Sequence, residues 1–184
     1  SSLSETTAPF LASLLEDVEF AASADAQPLL SQLANVIGTR QQIPEVNQIL
    51  ELTARYRYPG QQQKTEAVQD EVVLAIGQGL KRGGKTVLAF AKADEGASAR
   101  LVRDSIARAK QTSADKSQTL AARQQAIDLL SCTDLATAEA ALLPLLAARE
   151  PQEIQISVVE AFTSFTDTQI AELLLKEYPS LTPN

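Results

Sequence analysis

The sequence predicts an all-α fold and, within that class, an α-solenoid: a superhelix of antiparallel helical hairpins, each stacked on the next. Three observations predict it. Apolar residues recur at three- and four-residue spacing along nearly the whole chain, which gathers them on one face of each helix. Hydrophobic residues make up 45% but aromatics only 4%, so the apolar material is Ala, Leu, Val and Ile beside many Gln and Glu, a helix-forming mixture. The last third of the chain then repeats one rhythm twice. Leu120, Ile127 and Leu130 lead to a polar break at 131–134 and on to Leu135, Ala138, Leu142 and Leu145. Ile154, Val158, Ala161 and Phe162 lead to a break at 163–167 and on to Ile170, Leu173, Leu174 and Tyr178. Helix pairs this short cannot bury such a face alone and must stack on a neighbour.

Each element follows from local signals. Residues 1–7 read as a lead-in, with a helix from near Pro9 to about residue 22 turning Phe10, Leu14, Leu15 and Val18 inward. Proline suits a first turn, where its missing N–H had no partner anyway. Asp25 is placed to cap a second helix with Leu29, Leu30, Leu33, Val36 and Ile37 on its apolar face, and Gly38 is placed to end it. Pro44 opens a third helix, carrying Val46, Ile49, Leu50 and Leu52, that stops ahead of Pro59. A fourth runs over about 65–81 through Val68, Val72, Ala75, Ile76 and Leu80; Gly77 and Gly79 weaken it by roughly 1 kcal/mol each, and Gly83 and Gly84 end it. A short helix covers 87–91. The next begins at Asp94 or Glu95 with Leu101, Val102, Ile106 and Ala109 inward. Asp115 with Gln118, and Thr166 with Gln169, read as capping pairs for later helices, and Pro151 starts the one between. Only 72–76 and 87–90 lean towards strand, and both fit helices.

The whole of 1–184 reads as a single helical-repeat domain: N-terminal helices over about 1–60, a basic centre over 65–116 and two hairpins over 117–184. The chain begins without Met and contains none, so it reads as a processed product or a piece of something longer. No apolar run reaches the roughly 20 residues that span a bilayer, and the first residues do not read as a signal peptide, which in a piece of a longer chain says little about location.

Chemistry is constrained by what the chain lacks. It has no His, the commonest general base and transition-metal ligand. Its one cysteine, Cys132, allows no disulfide and lies near Asp128 and Asp134, so it reads as a small apolar filler. Adjacent carboxylates such as Asp70 and Glu71 point in different directions from a helix. Tyr56, Tyr58 and Tyr178 are too scattered to form a base-stacking platform. The expectation is therefore a chain with no catalytic residues, no cofactor and no metal.

Net charge is −7, unevenly placed. Residues 1–80 carry 4 basic and 10 acidic side chains, 81–116 carry 9 and 4, and 117–184 carry 3 and 9. The basic centre contributes the candidate partner-binding residues Lys81, Arg82, Lys85, Arg100, Arg103, Arg108 and Lys110. A solvated, Arg-rich helix face explains the same residues more simply. A nucleic-acid-binding helical repeat is the rival use of this centre, opposed by the net charge.

One sharp pattern stands out. Residues 79–86, Gly-Leu-Lys-Arg-Gly-Gly-Lys-Thr, satisfy the phosphate-loop spacing, with Gly79 first, Lys85 placed for terminal phosphates and Thr86 for Mg²⁺. Context opposes nucleotide binding. Such a loop sits at the edge of a parallel sheet, and the residues before Gly79 keep helical spacing. The competing reading makes Gly83 and Gly84 a helix C-terminus, with Lys81, Arg82 and Lys85 against its negative end.

At the C-terminal hairpins, Ala-Ala-Arg-Gln-Gln-Ala-Ile-Asp-Leu-Leu at 121–130, Leu-Leu-Pro-Leu-Leu at 142–146 and Pro-Gln-Glu-Ile-Gln-Ile-Ser-Val-Val-Glu-Ala-Phe at 151–162 resemble HEAT-type, armadillo-like repeats. Together with Ala-Ile-Gly-Gln-Gly-Leu-Lys-Arg-Gly-Gly at 75–84 and Leu-Leu-Leu-Lys-Glu-Tyr-Pro-Ser-Leu-Thr-Pro at 173–183, the run over 65–183 is similar to the helical middle of large exported planctomycete and verrucomicrobial proteins described as membrane-bound dehydrogenases. Those join a sugar-dehydrogenase-like β-propeller, a HEAT-like region and a c-type haem domain. The resemblance implies a spacer or protein-interaction scaffold between two redox parts, in an exported or periplasmic protein, partnered by neighbouring domains of its own chain. Haem attachment needs Cys-x-x-Cys-His, which this chain cannot supply, so no catalytic or haem-binding residue carries over.

Overall fold

The computed structural model describes residues 2–93 and 96–165, the side chains of 2–5 and 91–93 aside. Every element of regular structure among them is helical: α1 Ser2–Glu16, α2 Val18–Ala21, α3 Ala26–Arg40, α4 Ile43–Arg55, α5 Gln62–Lys81, α6 Leu88–Ala93, α7 Ala97–Ala114, α8 Leu120–Ser131, α9 Leu135–Leu142 and α10 Gln152–Thr163, with a 3-10 turn at Leu143–Leu146. The chain divides into two compact units, Ser1–Ser105 and Ile106–Asn184, with the division falling inside α7. The expected start at Asp94 or Glu95, the cap at Thr166 and the helix of Ile170, Leu173, Leu174 and Tyr178 lie outside the described residues.

In the first unit, α5 is buried along most of its length. Residues Val72, Val73, Leu74, Ala75, Ile76 and Gly77 are all buried, the mark of a helix covered on every side. α3 and α4 both pack on it, and α1 packs on α3 and α4. The contact of α3 with α5 is parallel. Ser31 donates to Glu71, and Asn35 Nδ2 donates to the Ala75 carbonyl at 3.4 Å, each across 40 residues of sequence. Further along in the same sense, Gly38 meets Ile76 and Gly79, and Gln41 lies over Gly83. The two backbones approach so closely that a Cβ on Gly38 would fall 2.3 Å from the Ile76 carbonyl oxygen, and one on Gly79 would fall 2.3 Å from that of Asn35.

This corrects the reading of Gly38 as a stop signal. α3 continues through Gly38 and ends at Gln41, in the left-handed region at φ 55°, because the glycine's role is to admit a helix 40 residues away. The buried face of α3 is Ala26, Leu30, Ala34, Ile37 and Gly38, while Val36 turns outward. Its N-terminus is capped by Ser23, whose hydroxyl accepts from the Ala26 amide at 3.2 Å, and not by the Asp25 side chain.

α1 also departs from expectation, since it starts seven residues before Pro9 and carries the proline inside. A proline there removes the hydrogen bond to the carbonyl four residues back. Tertiary contacts hold the turn ahead of it: Arg40 donates to Thr7, and Ala8 and Leu11 are buried, whereas Phe10 is exposed. The helix breaks at Asp17, whose carboxylate caps α2 by accepting from the Phe20 amide at 3.0 Å.

In the second unit, α8 packs against α9 and α10, and the 3-10 turn against α9 and α10. Gln124 Nε2 of α8 donates to Ser157 Oγ of α10 at 3.1 Å, across 33 residues. Thr119, not Asp115, caps α8 by accepting from the Ala122 amide at 3.2 Å. Asp115 instead binds the turn it begins, accepting from the Ser117 amide and hydroxyl and from Gln118. Asp134 caps α9 by accepting from the Thr137 amide at 2.9 Å. Pro144 then tightens the chain into the 3-10 turn, because its nitrogen cannot continue the helical ladder. Gln155 Nε2 donates to the Leu146 and Ala147 carbonyls at 3.2 and 2.8 Å. Ile127, Leu130, Leu142, Ile154, Val158 and Phe162 are fully buried, as their spacing predicts.

Gly79→Ala should destabilise the first unit by about 3 kcal/mol, because the added methyl meets backbone and not a yielding side chain. The exposed neighbour Gln78→Ala should change stability by less than about 0.5 kcal/mol. Urea denaturation followed by circular dichroism checks both.

Candidate functional site

The phosphate-loop pattern is the end of a helix. Gly79 lies inside α5, three residues before Arg82, its C-cap. Beyond it the chain closes on itself: the Gly84 amide donates to the Lys81 carbonyl at 3.0 Å and the Lys85 amide to the Leu80 carbonyl at 3.1 Å, with Gly84 at φ 73°. This pair of bonds around a left-handed glycine is the Schellman arrangement. Amides that a phosphate would need are donated to the helix's own carbonyls. The four-residue gap between the glycines therefore has a structural origin: Gly79 serves the crossing with α3, and Gly84 serves the terminus.

The seven candidate cations fall in several places. Lys81 is half-buried and Arg82 and Lys85 are exposed at the end of α5. Since α3 and α5 run parallel with Gln41 over Gly83, their carbonyl ends lie together, and Arg40, Lys81, Arg82 and Lys85 supply positive charge there. Arg100 and Arg103 are exposed one turn apart on α7, with Asp104 exposed beside them. In the second unit Arg108 is half-buried and Lys110 is exposed. Among the described residues no cluster of three or more His, Cys, Asp or Glu could hold a metal ion. No described helix is long and apolar enough to cross a membrane. Cys132 is buried, its thiol against the Asp128 carbonyl at 3.4 Å.

Two polar constellations were not singled out by sequence. The first is a buried ion pair in the second unit. Arg123 and Glu150 are 2% and 7% exposed and bonded at 2.6 Å. Arg123 Nε also donates to the Ser113 carbonyl at 2.8 Å, and Lys116 Nζ lies 3.0 Å from the other oxygen of Glu150. The pair thus ties the end of α7, the start of α8 and the approach to α10. Burial on its own raises the Glu150 pKa, but the hydrogen bonds and charges of Arg123 and Lys116 outweigh it and hold the carboxyl below its ordinary value. A sequence signal existed: Arg123 shares a face with Ala126, Ile127 and Leu130, so the apolar stripe itself places it inside.

The second lies at the end of α4. The Tyr56 hydroxyl donates to the Val18 carbonyl at 3.0 Å, and the Tyr58 hydroxyl to Glu19 at 2.8 Å. Burial, then the neighbouring Tyr58 and Glu19, push the Tyr56 hydroxyl pKa up. Arg57 Nη1 donates to the Ala54 and Tyr56 carbonyls at 2.7 and 2.6 Å, closing the helix end. Between this corner and α1 lies an open groove of about 290 Å³.

Glu150→Ala should cost about 3 kcal/mol or more by leaving Arg123 buried without its carboxylate, whereas the double change Arg123→Met with Glu150→Leu should come close to wild type. Chemical denaturation of the three proteins separates the cases. Because the folded-state pKa of Glu150 is depressed, its contribution is complete above the ordinary glutamate value of about 4.3 and is lost as pH falls through the lower folded value. Acid titration of stability should show this loss in wild type and not in the double variant. Compared with models of protein families, with curated proteins and with solved structures, the chain matches none.

Proposed function

We propose that this chain is a non-catalytic helical-repeat scaffold, HEAT-like in build, that acts as a spacer and protein-interaction surface within a larger exported multidomain protein. The observation that carries the reading is the stacking of helices that are not neighbours in sequence. α5 lies parallel on α3 at a spacing of 40 residues, and α10 lies on α8 at 33, with α4 and α9 as the intervening helices. These spacings are close to the repeat lengths of helical solenoids, in which each repeat supplies one layer and the next covers it. A scaffold of this kind works by geometry, holding attached domains at a set distance through packed helices and not through a reactive side chain. The absence of His from the sequence fits such a role.

The resemblance of residues 65–183 to the helical middle of the dehydrogenase proteins supplies the larger context. On that reading, redox chemistry belongs to the parent's other domains. The test is the coding sequence on either side of residues 1 and 184. A propeller-encoding region upstream and a Cys-x-x-Cys-His codon series downstream are expected, and flanks with neither would overturn the spacer assignment. For the repeat architecture, small-angle scattering should give a radius of gyration well above the roughly 16 Å of a compact globule of this length. A value near that figure would sink the solenoid.

A further inference from the structure

We propose that the groove between α1 and the end of α4 binds a small aliphatic monocarboxylate, with its tail on Leu15, Val18 and Leu52 and its carboxylate on Arg57. The groove's volume of about 290 Å³ lies at the small end of ligand sites, which suits a short chain and not a large cofactor. Its apolar lining comes from Ala12, Leu15, Val18 and Leu52. Tyr56 lines it as well, and its hydroxyl is already donated to the Val18 carbonyl.

Arg57 provides the anchor. Its Nη1 bonds to the Ala54 and Tyr56 carbonyls fix the guanidinium plane against the helix end. The opposite edge, Nε with Nη2, is the pair of parallel donors that takes a carboxylate in two hydrogen bonds, and it meets no carboxylate among the described residues. A guanidinium held in place before binding loses little freedom when the anion arrives. Arg55 adds a second exposed cation to the lining, its nearest acid, Glu51, standing 4.0 Å away. Glu16 also lines the groove, so each further negative charge on a ligand meets a like charge there.

Calorimetric titration of the full chain with sodium butanoate, sodium hexanoate and hexan-1-ol tests the assignment. Saturable binding of one hexanoate per chain is expected, tighter than butanoate by about fifteenfold because each of its two extra methylenes contributes about a fourfold gain. Hexan-1-ol, with the same tail and no charge, should bind at least tenfold more weakly. Arg57→Gln should weaken hexanoate at least tenfold. Ala12→Leu, which keeps both arginines and fills the groove, should do the same, with circular dichroism confirming the fold of each. Hexanol binding as tightly as hexanoate, heats that never saturate, or wild-type affinity in both variants would overturn the proposal.

Discussion

The first unit depends on one steric condition, that two helix backbones touch where they cross. α3 and α5 meet through Gly38 and Gly79, and neither position has room for a methyl group. Such contact gives dispersion attraction between whole backbones and leaves no void to fill. It also explains how a core with few aromatic rings is closed: small faces replace large side chains as the means of excluding water. Where the glycines leave off, polar groups take over, with Ser31 on Glu71 and Asn35 on Ala75 fixing the sliding register that smooth surfaces leave loose.

The second unit meets the same need by other means. Its helices are short, and Arg123, Glu150 and Lys116 join three stretches of chain at one buried point. A buried ion pair is a poor source of net stability compared with apolar packing, since desolvating both charges costs nearly what their attraction returns. Its value is directional. Only one arrangement of the end of α7, the start of α8 and the approach to α10 satisfies every donor and acceptor. Gln155 on the Leu146 and Ala147 carbonyls and Gln124 on Ser157 extend that specification along α10.

What could be read from sequence divides along the range of the physics involved. Helical class, the burial of Ile127, Leu130, Val158 and Phe162, and the termination at Gly83 and Gly84 follow from spacings within a few residues, and the structure has them. A glycine near the end of an apolar stripe looks like punctuation, while the real partners of Gly38, Ile76 and Gly79, stand far along the chain. Pro9 fails as a start signal for the same reason: the contacts that keep its helix intact come from Arg40 and the core. Arg123 could have been found from its place on the stripe, but nothing near it in sequence indicates Glu150. The corner around Arg57 carried no local signal at all, because Leu15, Val18 and Arg57 meet only after folding.

The parallel stacking of α3 on α5 imposes a grammar on length changes. One residue turns a helix by about 100°, so a single insertion within α5 ahead of Gly79 would swing that notch away from α3 and present a side chain in its place. An insertion in the turn between α4 and α5 would leave both faces intact. A change in length would therefore be tolerated at the joints, where it alters only the interval between stacked helices, and not within a helix, where it alters the rotational phase.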